Sequence, residues 1–169
     1  MRGEVNLFDL ITKYFWSLAI LITCINFFMF RKRAQMHIKN NPGLQNGYRA
    51  LLKSYLLWMN IPWIVMGLGC TVGGVPSVLH YLRPRDGNPY VLAWFATVIF
   101  LWAAGSYWLF FSNGAETLAR HPGAVELRYG FKRKDITNPL MIKALWLLCL
   151  TGGIIGMVAI WRLDIPLQL

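Results

Sequence analysis

The sequence predicts an all-α integral membrane protein built as a bundle of four transmembrane helices. The 169-residue chain is 56% hydrophobic and only 14% charged, whereas an ordinary soluble domain carries about 25% charged residues. Its apolar residues collect in four long runs separated by polar connections. Because 169 residues is a typical length for one domain, we predict a single membrane domain over residues 1–169.

The four apolar runs are each long enough to cross a bilayer, which takes about 20 mostly apolar residues in a helix. The predicted helices cover about residues 10–30, 50–74, 90–112 and 139–161. So many apolar runs leave too little amphipathic chain to cover them in water, which argues against a soluble fold. Inside a bilayer each run must be helical, because lipid offers no hydrogen bonds to the backbone.

Local residues mark several ends of these helices. The Asn-Pro pairs 88–89 and 138–139 predict the starts of the third and fourth helices, because asparagine caps a helix and proline suits its first turn. The glycine pair 73–74, followed by Pro76, predicts the end of the second helix.

The Lys and Arg residues are distributed unevenly between the two sides. Twelve of the 17 lie in or beside the first and third connections, about residues 31–49 and 113–138. Since short cytoplasmic loops are rich in these residues, we predict that both connections are cytoplasmic and both termini lie outside, in what we expect to be a bacterial inner membrane. The candidate contacts to anionic lipid head groups or to a partner are Arg31, Lys32, Arg33, Arg120, Arg128, Lys132, Arg133 and Lys134.

The two basic connections resemble each other in layout. In each, a Phe-Phe pair comes before a polar stretch that ends in Pro-Gly, at 42–43 and at 122–123. Each Pro-Gly predicts the end of a helix that protrudes from the membrane. Asn113 and Glu116 have the spacing of a capping box. This layout indicates two tandem helical hairpins, although chance similarity between membrane hairpins explains it equally well.

Small residues are candidate packing positions, because helices in lipid associate through close approach of their backbones. Gly69 and Gly73 form such a pair in the second helix, and Gly152 and Gly156 form another in the fourth. The motif does not distinguish contact within the bundle from contact with another protein.

Asn26 and Asn60 are two polar residues that lie at similar depths within the apolar runs. We predict that they can form a hydrogen bond between helices, which is worth about 0.6 kcal/mol in membranes. The alternative is that they form a polar site for a substrate.

The sequence contains no recognisable catalytic, metal or cofactor motif, and we predict none of these sites and no nucleic-acid binding. His37 and His121 are expected in solvated connections, and His80 at a helix border. The cysteines are expected to be packing residues within the apolar runs; they are Cys24, Cys70 and Cys149.

These patterns favour a non-catalytic accessory, assembly or interaction subunit of a membrane complex. Such a protein would meet partner proteins, or a second copy of itself, through its helix faces. One alternative is a small transporter or channel subunit with a polar path near residues 60–62. The other is an enzyme acting on lipid head groups, in which Arg120, His121 and Arg128 would meet phosphate.

Overall fold

The computed structural model describes residues 6–129 and 132–162. Its α-helices are α1 (Leu7–Lys13), α2 (Phe15–Asn40), α3 (Gln45–Thr71), α4 (Pro89–Phe111), α5 (Gly114–Ala119) and α6 (Pro139–Arg162). Its strands are β1 (Glu126–Tyr129) and β2 (Lys132–Asp135). Short 3₁₀ turns cover Pro42–Leu44, Val78–Leu82 and Pro84–Asp86.

Four of these helices, α2, α3, α4 and α6, are long and apolar enough to cross a membrane. Helix α2 packs against α3, α3 against α4, and α4 against α6. Their outer surfaces expose many large apolar side chains, which suits contact with lipid tails. The predicted fold class is therefore confirmed: the protein is a four-span helical membrane protein.

The first long helix differs from its predicted range. The chain bends at Tyr14, between α1 and α2, and α2 then continues through Arg31 to Asn40. Beyond Arg31 the helix is still packed on one side, where Ala34 is only 1% exposed. The length of an apolar run predicts the part of a helix that lies in lipid, and α2 extends past it because its inner face still contacts the protein.

The predicted starts of α4 and α6 are confirmed by their caps. The Asn88 side-chain oxygen accepts a hydrogen bond from the Tyr90 amide at 2.9 Å. The Asn138 oxygen accepts one from the Leu140 amide, also at 2.9 Å. Each cap satisfies an amide that the first turn of a helix leaves without an internal partner.

The capping box predicted at Asn113 and Glu116 is wrong. Asn113 adopts a left-handed conformation, with φ of 56°, and its side chain makes no capping hydrogen bond. This conformation reverses the chain between α4 and α5, and an N-cap residue normally has extended backbone angles instead. Glu116 bonds to Lys143 of α6.

The end of α3 follows the predicted signals. The helix stops at Thr71, and Gly74 has a φ of +66°, which glycine adopts without strain. The chain then folds back so that the Tyr81 hydroxyl donates to the Met66 carbonyl at 3.1 Å. Burial raises the pKa of Tyr81, so this hydroxyl stays protonated as a donor.

A short antiparallel hairpin, β1 and β2, follows α5 and was not predicted. Its register pairs Glu126 with Asp135 and Arg128 with Arg133. The four residues of β1 alternate polar and apolar side chains, which is the pattern of a strand. The four residues of β2 are all charged, so the sequence shows no matching second strand. Leu127 attaches the hairpin to an apolar cluster built around Leu109.

Candidate functional site

The first and third connections meet at one end of the bundle, here named the connection end (residues 31–53, 112–129 and 132–138). Tyr48 lies at its centre and is 0% exposed. The His37 ring stacks on Tyr48 with ring centres 6.4 Å apart, and the His121 ring meets Tyr48 edge-on at 4.8 Å. The Tyr48 hydroxyl also donates to the Pro122 carbonyl at 2.7 Å. This cluster joins the two connections.

A glycine makes the contact between His121 and α3 possible. The His121 Nδ1 lies 2.6 Å from the Thr117 carbonyl, and because a carbonyl only accepts, this nitrogen donates. The other ring nitrogen, Nε2, lies only 1.9 Å from the point where a Cβ on Gly47 would lie. Any larger residue at Gly47 would displace the ring.

The expected solvent exposure of His121 is wrong, because this residue is only 8% exposed. His37 is half-buried. Sequence reasoning also missed Gly47 and Tyr48, whose partners lie in a distant connection. One usable signal was present: a glycine inside a helix lowers helix stability and often reflects a close contact.

Two ion pairs hold the third connection against the long helices. Arg33 of α2 pairs with Glu126 of β1, and Lys143 Nζ lies 2.9 Å from Glu116 Oε1. The hydrogen bond from Lys143 holds the pKa of Glu116 below its ordinary value of 4.5. Arg33, a predicted contact to lipid or a partner, therefore binds within the protein.

The other predicted cationic contacts fall into two groups. Four of them are exposed, namely Arg31, Lys32, Arg120 and Lys134. The other three are Arg128, Lys132 and Arg133, for which the structure describes the strand backbone but not the side chain. Contact of these cations with lipid or a partner stays a prediction.

Gly69 and Gly73 of α3 lie against aromatic side chains of the same chain. A Cβ on Gly69 would lie 2.1 Å from the Tyr81 hydroxyl, and one on Gly73 would lie 2.3 Å from the Tyr90 ring. In this bundle the pair therefore accommodates Tyr81 and, from the first turn of α4, Tyr90.

The glycines of α6 face two different surroundings. Gly153 contacts α4, where a Cβ would lie 2.7 Å from the Trp102 ring. A neighbouring bond supports this contact, since Trp146 Nε1 donates to the Ser106 hydroxyl at 2.9 Å. Gly152 and Gly156 instead face open space: apart from the adjoining helix backbone, no atom of the described residues lies within 4 Å of an added Cβ. They leave a strip of bare backbone on the surface of α6.

Asn26 and Asn60 do not pair with each other. The Asn60 amide nitrogen donates to the Leu56 carbonyl of its own helix at 2.7 Å, and its side-chain oxygen is buried without a hydrogen-bond partner among the described residues. Asn26 is exposed on α2, and its side chain lies within hydrogen-bonding reach of Tyr55 on α3, so its neighbour on α3 is Tyr55 and not Asn60. Depth in the bilayer follows from sequence spacing, but the face of the helix depends on packing.

The side chains at the connection end contact one another across the two connections. Within residues 6–129 and 132–162, no three His, Cys, Asp or Glu side chains come together as a metal site. The His37 ring stacks on Tyr48. The His121 ring contacts Tyr48, is bonded to the Thr117 carbonyl and lies directly against Gly47. What these contacts do is fix the third connection to the α2–α3 pair.

The fold and these surfaces place the chain in the class of multi-span helical membrane proteins. Comparisons with known proteins found no matching family model, no matching curated protein and no matching solved structure.

Proposed function

We propose that this protein is a non-catalytic accessory, assembly or interaction subunit of a membrane complex. Its helix faces bind a partner within the bilayer, and its first and third connections face the cytoplasm. The high content of Lys and Arg in those connections supports this orientation.

The observation that carries the proposal is the open face of α6. Gly152 and Gly156 are four residues apart, exposed, and free of neighbouring side chains. Small residues at this spacing let a second helix approach closely, which is how many membrane helices associate. The α4 contact of α6 uses Gly153 on another face, so the bundle leaves the Gly152 face available to a partner.

The test is to purify the protein in mild detergent and identify co-purifying proteins by mass spectrometry. The variant Gly152→Ile/Gly156→Ile fills the open face, and we expect it to fold normally and lose the partner. A control is Ala96→Ile, which places an isoleucine at an exposed position of α4 and should retain the partner. Recovery of the wild-type protein alone, as a single copy in several mild detergents, would contradict the proposal.

A further inference from the structure

The cations of the connection end are not equivalent, because some are neutralised within the protein and others are not. Arg33 and Lys143 pair with Glu126 and Glu116. In contrast, Arg31, Lys32 and Lys53 are exposed and form no ion pair within the described residues. Unpaired positive charge therefore remains on the α2–α3 side of the bundle.

The three unpaired cations lie at one level along the bundle axis. Phe30 of α2 contacts both Tyr48 and Tyr55 of α3 through its ring, with ring centres 6.4 and 6.3 Å apart. The turn of α3 that carries Lys53 therefore lies beside the turn of α2 that carries Arg31.

This level lies between the apolar surface of the two helices and a mostly polar surface on the connection side, where Met36 is an exposed apolar exception. Lys32 lies one turn beyond Phe28, which is 61% exposed, and Lys53 lies one turn from Leu57, which is 57% exposed. Residues four apart share a helical face. Each lysine thus lies one helical turn from an apolar side chain that is exposed for contact with lipid tails. In a bilayer this position corresponds to the depth of the head groups.

We propose that Arg31, Lys32 and Lys53 form a contact surface for the phosphate head groups of anionic phospholipids at the α2–α3 side of the bundle. This inference deepens the proposed function and rests on its membrane-embedded bundle, but it is independent of the partner on α6. Cations at this depth attract anionic lipids, whereas cations farther from the membrane are screened by salt.

A matched pair of lysines allows a sharp test. Lys39 lies on the same face of α2 as Lys32 and is also exposed, but it is two turns, about 10 Å, farther from the apolar surface. The full chain is reconstituted in phosphatidylcholine vesicles, and its association with spin-labelled phosphatidylglycerol is measured relative to spin-labelled phosphatidylcholine. We expect Lys32→Gln to reduce this preference by up to about fivefold and Lys32→Gln/Lys53→Gln to reduce it further, while Lys39→Gln leaves it unchanged.

Two results would overturn the inference. The first is an unchanged lipid preference in Lys32→Gln/Lys53→Gln, with or without loss of an acidic protein partner. The second is an equal loss in Lys39→Gln, which would show that only overall charge matters. The variant Lys32→Arg/Lys53→Arg keeps the charge and should keep the preference, which separates a lipid effect from a folding defect. Loss of the partner in Gly152→Ile/Gly156→Ile with normal lipid preference would separate this inference from the proposed function.

Discussion

At Gly47 the absence of a side chain lets the His121 ring lie directly on α3. The ring has little freedom to move, because its Nδ1 is bonded to the Thr117 carbonyl and its other side meets Tyr48. Alanine normally stabilises a helix relative to glycine. At position 47 it is expected to destabilise the protein, because its side chain would collide with the His121 ring.

We expect Gly47→Ala to lower the free energy of unfolding by about 1–3 kcal/mol, the usual cost of overpacking a filled site. Equilibrium unfolding in mixed micelles containing dodecyl sulfate measures this change. The double variant Gly47→Ala/His121→Ala removes the clashing ring, so its loss should be smaller than the sum of the single losses. Additive losses would show that the two residues are not in contact.

The sequence was informative about residues whose partners are local and uninformative about residues whose partners are distant. The caps at Asn88 and Asn138 bond to amides two residues away, so sequence spacing was sufficient to predict them. Tyr48 and His121 meet across 73 residues of chain, and neither residue has a local pattern that indicates the other. Asn26 shows the same limit, since its neighbour on α3 is Tyr55 and not the predicted Asn60.

Helix α5 and the hairpin are held to the long helices by ion pairs. The stability of their attachment is therefore expected to depend on pH. The pKa of Glu116 is lowered by its bond from Lys143, which means that the folded protein favours the carboxylate. The stability from this pair is therefore present above pH 4.5, the ordinary value, and is lost as the pH falls through the lowered pKa.

We expect the wild-type protein to unfold at a higher temperature than Glu116→Gln at about pH 7, and the difference to shrink as the pH falls below 4.5 and through the lowered pKa. Thermal unfolding in detergent, followed by circular dichroism, measures both midpoints. Comparison with Glu116→Gln removes the effect of other titrating groups. A difference that stays constant across this range would show that Glu116 acts only through packing.

The contact between α4 and α6 offers a second test at this scale, because adjacent glycines have opposite surroundings. Gly153→Ile should lower the free energy of unfolding by about 1–3 kcal/mol, since its side chain would collide with Trp102. Gly152→Ile points into open space, and it should change stability by no more than about 0.5 kcal/mol. Equal losses in detergent unfolding would mean that α6 is rotated from its described position.

At the scale of the whole molecule, composition and the length of the four apolar runs predicted the fold class and the number of long helices. Apolar length is a strong signal because the bilayer sets it directly. The extension of α2 beyond Arg31 to Asn40 agrees with the Pro-Gly pair at 42–43, which predicted the end of a helix protruding from the membrane. The hairpin could not be predicted from apolar length, because tertiary contacts outside the hydrocarbon layer stabilise it. The same contacts build the connection end, so the sequence indicated its charge but not its packing.

Four spans require that the α2–α3 turn and the α4–α6 connection lie on one side of the membrane and the α3–α4 connection on the other. Exposed positions in each are available at Gln45, Arg120 and Arg85. Single cysteines can be placed there after the native residues, Cys24, Cys70 and Cys149, are replaced by alanine.

Labelling these single-cysteine variants in intact cells with a membrane-impermeant maleimide tests the four-span arrangement most directly. We expect Arg85→Cys to be labelled from outside, and Gln45→Cys and Arg120→Cys to be labelled only after the membrane is permeabilised. Labelling of Gln45→Cys and Arg85→Cys from the same side would contradict the account, because α3 could not then cross the bilayer.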